Sequence, residues 1–145
     1  MKLTSLALPL LAFVASVAAQ ASHIGLPKAG SIVHKGKKVK VQVVKPNSIE
    51  GSIEVGLVLS FQYCPPPDPC PNPTFDLGNV LYVGKLNAKF HEIPGEPYQN
   101  FTITIPDYSF WNPGPAQIIE NRFHLIGGGP AAVLETNTVA VQLKN

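Results

Sequence analysis

Cysteine, charge and long apolar runs are all scarce in this chain, and each scarcity closes off a class of function. The only two cysteines, Cys64 and Cys70, do not sit at zinc-ligand spacing. The four histidines, His23, His34, His91 and His124, are scattered along the chain. Charged residues make up 14% of the sequence and the net charge is +2, too close to neutral for a protein that binds nucleic acid electrostatically. No Gly-x-Ser-x-Gly motif is present to seat a nucleophile. Beyond Ala19 no apolar run approaches the ~20 residues of a membrane span. Nor is any stretch patterned as a helix.

What is present begins with an export signal. Met1-Lys2 supplies a positive start, Leu6 to Ala19 is apolar, and Val17-Ala18-Ala19 offers the small side chains that signal peptidase accepts. The expected signal peptide is residues 1–19, with cleavage after Gln20 or Ala21 as neighbouring alternatives. The remaining chain of about 125 residues, 20–145, is one domain's worth and enough for a continuous core. Loss of Lys2 takes the formal charge to +1. The polar, alternating end Val139–Asn145 is not a lipid-anchor tail. The expectation is a secreted, extracellular protein.

The patterning after Ser22 is that of strands. Ser22 to Leu26 ends at Pro27, and Lys38 to Val43 alternates strictly between valines and polar residues. Ile53, Val55, Leu57, Leu59, Phe61 and Tyr63 share one face of a long strand, predicted as core, with the opposite face mostly wet. Asn79 to Val83, Phe101 to Ile105, Gln117 to Ile126 and Val133 to Leu143 follow. In the last of these Leu134 is out of phase with Val139, Val141 and Leu143, which predicts a bulge near Thr136-Asn137. About seven antiparallel strands, with Gly, Pro and Asn between them, point to an all-β sandwich of immunoglobulin or fibronectin-III type.

Several residues invite a chemical role. Cys64 and Cys70 bracket Pro65-Pro66-Pro67-Asp68-Pro69, and in an exported chain the simplest state of such a pair is a disulfide. That bridge shapes a local projection, since closing so short and stiff a loop contributes only ~2 kcal/mol or less. Asn100-Phe101-Thr102 is a glycosylation sequon whose asparagine falls on the face opposite Phe101 and Ile103. Glu120, Arg122 and His124 share a strand face at intervals of roughly 7 Å, which reads as a solvated charged face rather than a catalytic set. Lys35, Lys37, Lys38 and Lys40 read as a solvated strand entry. Asp68, Asp76, Glu92, Glu96 and Asp107 lie in or near loops, with no spacing that demands a carboxylate pair. Cleavage after Gln20 would leave Ala21-Ser22-His23 as a terminal donor set for copper(II), an adventitious one. No cofactor, catalytic residue or metal site is predicted. Tyr108, Phe110 and Trp111 form an aromatic loop that either plugs one end of the core or stands ready to stack on a partner.

The ordered segments resemble the necrosis-inducing secreted protein family of fungal effectors. The matching stretches are Ile24-Gly25-Leu26-Pro27, Val39 to Val44, Val55 to Leu59, Leu77 to Gly84, Asn100 to Pro106, Phe123 to Pro130 and Leu134 to Val141. The cysteine-bracketed proline loop and the loop from Tyr108 to Pro115 depart from the pattern. The resemblance implies a fungal virulence protein with a β-sandwich. It also implies uptake into plant cells, where such a protein binds immune-receptor-associated kinases and blunts pattern-triggered immunity. The expected function is therefore non-catalytic binding of a host protein, with Tyr108, Phe110 and Trp111 as candidate contacts. The alternative is a module for wall polysaccharide.

Overall fold

The computed structural model describes residues 21–145, so the expected signal peptide lies outside the described residues. These residues contain no helix, and none long and apolar enough to cross a membrane. Eight strands follow in order: β1 (His23–Leu26), β2 (Ile32–His34), β3 (Lys38–Val44), β4 (Ser52–Tyr63), β5 (Asn79–Gly84), β6 (Tyr98–Thr104), β7 (Gly114–Ile126) and β8 (Ala131–Lys144). They build two sheets, ordered β1-β3-β6 and β2-β8-β7-β4-β5. Every pairing is antiparallel except β2 with β8. The strand β2 was not expected, because three residues carry too little periodicity to read.

One core joins the two sheets. Val41 and Val43 of β3 and Phe101 and Ile103 of β6 cluster with Leu57, Leu59 and Phe61 of β4, Ile118 of β7, and Val141 and Leu143 of β8. Alternation produces this directly, since every second side chain of a strand points to one face. Burial of each such side chain stabilises the fold by roughly 1.5–3 kcal/mol.

The long strand β4 departs from strict alternation. On β7, His124 and Phe123 are consecutive, but their partners on β4 are Glu54 and Gly56, so Val55 is an extra residue. This bulge rotates the first turn of the strand. Val55 and Ile53 therefore leave the predicted core face and are 38% and 62% exposed, while Leu57, Leu59 and Phe61 are fully buried. Nor is the opposite face wet near Tyr63. Ser60 and Gln62 are buried there, because the loop after β4 folds back across the sheet. Gln62 donates to the Asp76 carbonyl and Gln117 donates to that of Pro71.

The predicted bulge in β8 is absent. Its pairing with β7 runs without a shift from Gly114–Leu143 to Ile126–Ala131. Leu134 stays out of phase for a different reason: it points to solvent and is 67% exposed. The inward positions at that end are filled by Glu135 and Asn137 instead, both partly buried.

Candidate functional site

At the Tyr63 end of β4 the core closes on rings. Trp111 packs against Tyr63 at 5.3 Å between centroids and against Phe61 at 5.7 Å. It is 8% exposed and belongs to the core cluster, so it is not the exposed anchor that its loop position suggested. Lys35 donates to its backbone carbonyl at 2.7 Å. The other two rings of the loop remain outside. Tyr108 and Phe110 stack at 5.3 Å with planes 19° apart, and Tyr108 meets Trp111 edge-on at 4.8 Å. Their exposures are 40% and 74%. Tyr108 Oη also lies 3.1 Å from Asn79 Oδ1. The exposed pair thus stands on a buried indole rather than on mobile chain.

The disulfide loop belongs to the same end. Cys64 and Cys70 are bonded, and the Cys64 N–H donates to the Pro115 carbonyl that closes the aromatic loop. Two proline-rich loops are therefore tied together beside the Tyr108–Phe110 stack.

The opposite end of β4, roughly 30 Å away at ~3.3 Å per residue, closes on ions. Glu120, Arg122 and His124 are 0%, 2% and 2% exposed. This corrects the reading of a solvated face: β7 is an inner strand, and these residues point between the sheets. Arg122 grips Glu54 through two parallel bonds, Nε to Oε2 at 2.8 Å and Nη2 to Oε1 at 2.6 Å. Its other arm reaches Glu135 Oε2 at 2.9 Å. Lys45 adds a second cation to Glu54 at 3.0 Å. Both the N–H and the hydroxyl of Ser22 donate to Glu135. Asn137 donates to Glu120 at 3.2 Å.

Such geometry divides the carboxylates. Burial would raise Glu54, but the hydrogen bonds and charges of Arg122 and Lys45 outweigh it and hold the carboxyl at about 2. Glu135 is lowered likewise, burial being outweighed by Ser22 and Arg122. Glu120 lacks a cation in contact, and burial pushes it up to about 7. His124 is lowered by burial first and the Arg122 charge second. Chemically, Glu54 and Glu135 are ionised but occupied, while Glu120 is sealed from solvent. An open cleft of about 280 Å³ borders the network, lined by Lys45, Glu50, Ser52, Arg122, His124 and Glu135 among others.

The remaining candidates separate. Asn100 is exposed on β6, opposite in phase to buried Phe101. Asp76 accepts the Gly78 N–H within its own loop, and Glu92 accepts the Tyr98 hydroxyl at the start of β6. Among the described residues no three His, Cys, Asp or Glu side chains are grouped to hold a metal. The Ser22 amide that a terminal copper set would use is committed to Glu135. The ionic network was missed because its partners come from β4, β7 and β8, from Ser22 just before β1 and from Lys45 just after β3. The available signal was Glu135 and Asn137 in phase with Val139, Val141 and Leu143.

No family model matches the sequence, and no curated protein sequence matches it. Among solved structures, the chain is similar to Pseudomonas fluorescens alkylpurine DNA glycosylase AlkC bound to DNA containing an abasic site analog. The TM-score is 0.42 at 12% identity, over 91% of this chain and 33% of that one. This chain spans about a third of that protein's length.

Proposed function

We propose that this protein is a secreted, effector-like binding module without catalytic chemistry, built as an immunoglobulin- or fibronectin-III-like sandwich. It is exported by its leader and glycosylated at Asn100. It engages its partner through the loops at the disulfide end. The observation that carries this reading is the exposed Tyr108–Phe110 stack, braced edge-on by a buried Trp111. Aromatic anchors on pre-stiffened loops lose little entropy on docking, which favours them as contact residues. The charged side chains best placed for acid–base work are instead tied into ion pairs or buried.

The partner implied by the sequence resemblance is the kinase domain of a plant immune-receptor complex, reached after uptake into host cells. Binding of the purified mature protein to such domains tests this, with Phe110→Ala and Tyr108→Ala beside the wild type. The expected result is micromolar binding weakened at least about tenfold by either change. No binding at about 100 µM would remove the kinase reading. A wall-polysaccharide reading has one observation in its favour: Phe110, at 74% exposure, offers ring surface to a sugar. Co-sedimentation with insoluble chitin, glucan and cellulose, lost in Phe110→Ala, would select it instead.

A further inference from the structure

The cleft at the ionic end is where the described chain begins. Ala21 lines it beside Lys45, Glu50, Arg122, His124 and Glu135. Ser22 is 2% exposed and is fixed there by its neighbours. Its N–H and its hydroxyl donate to Glu135 Oε2 at 3.1 and 2.6 Å, and Asn137 Nδ2 donates to that hydroxyl at 3.4 Å. Leader cleavage after Ala19, Gln20 or Ala21 leaves a first residue no more than two positions before Ser22. Two residues span at most about 7 Å. Whichever of these bonds is cut, the new amine is tethered within that distance of the Ser22 nitrogen.

Charge decides what that amine meets. Glu54 holds both cations of the cleft, Lys45 at 3.0 Å and Arg122 at 2.6 Å. Glu135 shares Arg122 at 2.9 Å, and Glu50 stands exposed on the rim. Three carboxylates therefore face two cations, a surplus of one negative charge. Burial keeps His124 neutral and favours the neutral form of Glu120, which lies behind Asn137. The Ser22 and Arg122 bonds to Glu135 all fall on Oε2. Its Oε1 lies 3.8 Å from His124 Nε2, beyond hydrogen-bond distance. We propose that the mature amino terminus seats in this cleft and that its ammonium is the third cation, held by Glu50 and by Oε1 of Glu135. In the unprocessed chain the same nitrogen is an uncharged amide, so leader removal is the step that completes the ionic end. This inference rests on the leader reading. It does not rest on partner binding by the loops, which lie at the opposite end of β4.

A seated ammonium has two consequences. Carboxylates beside it favour its charged form, so it should release its proton at a higher pH than a free terminus. Where the first residue is Gln20, it should also resist cyclisation. Pyroglutamate forms when the unprotonated Nα attacks the side-chain Cδ and ammonia leaves, and a paired ammonium lacks the electron pair for that attack. The test begins with the intact mass of the protein secreted from a eukaryotic host, which identifies the first residue and any cyclisation. The α-amino group is then titrated by NMR. A free one titrates at about 7.7–8.0, and the seated one should lie at least about one unit higher. Glu50→Gln, on the exposed rim, should remove part of that shift and leave the fold intact. Retaining Ala18-Ala19 ahead of Gln20 carries the amine out of the cleft and should remove the shift altogether. The mature chain should also outlast this extended one in denaturant below about pH 8, with the difference lost as pH rises through about 9. A chain that begins at Gln20, Ala21 or Ser22 and titrates at about 8 overturns this inference alone. So does a shift that persists in the extended chain, or a Gln20 terminus recovered wholly cyclised. A first residue elsewhere overturns the leader reading and this inference with it.

Discussion

Where β4 ends at Tyr63, the side chains that meet between the sheets are rings, and Phe61, Tyr63 and Trp111 pack by shape. Where it begins near Glu54, the residues that meet there are ions, and Arg122 is gripped by Glu54 and Glu135. The outer faces differ in the opposite sense. A loop covers the sheet near Tyr63, while apolar side chains stand bare near Ile53. One pair of strands thus satisfies two rules of burial. The aromatic end draws its stability from area removed from water. The ionic end draws it from pairing Arg122 with Glu54 and Glu135, an arrangement that tolerates little partial loss.

The sharpest way to break this comparison is to remove one partner at the ionic end. Arg122→Met leaves the partly buried Glu135 without its guanidinium and Glu54 with Lys45 alone, and should cost up to about 3–5 kcal/mol in denaturant unfolding. Replacing Glu54, Arg122 and Glu135 together by apolar residues should cost less, since the three buried charges go together and Lys45, 28% exposed, can turn to solvent. Equal losses in the two variants would mean the pairing is incidental. At the apolar centre Leu59→Ala should cost about 2–5 kcal/mol through a cavity, at any pH.

Stability at the ionic end should also depend on pH in two directions. Glu120 is raised from 4.5 to about 7, so its contribution is full below pH 4.5 and is lost as pH rises through 7. A shift of that size corresponds to about 3 kcal/mol. Glu54 is lowered from 4.5 to about 2, so its contribution is present above pH 4.5 and lost as pH falls toward 2. Unfolding free energy should therefore peak near pH 5. Glu120→Gln should flatten the alkaline side of that peak while leaving the acid side in place. A variant profile that overlays the wild type would contradict the assignment. The smallest stability effect belongs to the disulfide end. Cys64→Ser with Cys70→Ser should cost about 2 kcal/mol or less, read from the denaturant midpoint, because the loop is short and rich in proline.

The aromatic half was legible in the sequence because its rules are local. Alternation placed Leu57, Leu59 and Phe61 in the core, and an even cysteine pair in a chain expected to be exported predicted the bridge that is present. The ionic half was not, because alternation reports the period of a strand and not which face is wet. Glu120, Arg122 and His124 do share a face, yet its inward direction is set by residues distant in sequence, Ser22 against Glu135 and Lys45 against Glu54. Val55 gave no sign of the bulge, since an apolar residue in an apolar run fits either phase. Trp111 was ambiguous for a related reason: its burial depends on Tyr63 and Phe61, distant in sequence.

On the proposed function, partner binding belongs to the aromatic end while the ionic end is structural. The most direct test is a titration of the mature protein against an immune-receptor-associated kinase domain, comparing Phe110→Ala with Leu134→Lys. Both changes lie on exposed side chains and should move stability by no more than about 0.5 kcal/mol. The expected result is at least about a tenfold loss of affinity for Phe110→Ala and unchanged affinity for Leu134→Lys. Full binding by Phe110→Ala, with loss confined to Leu134→Lys, would place the functional surface at the other end of the molecule and contradict it.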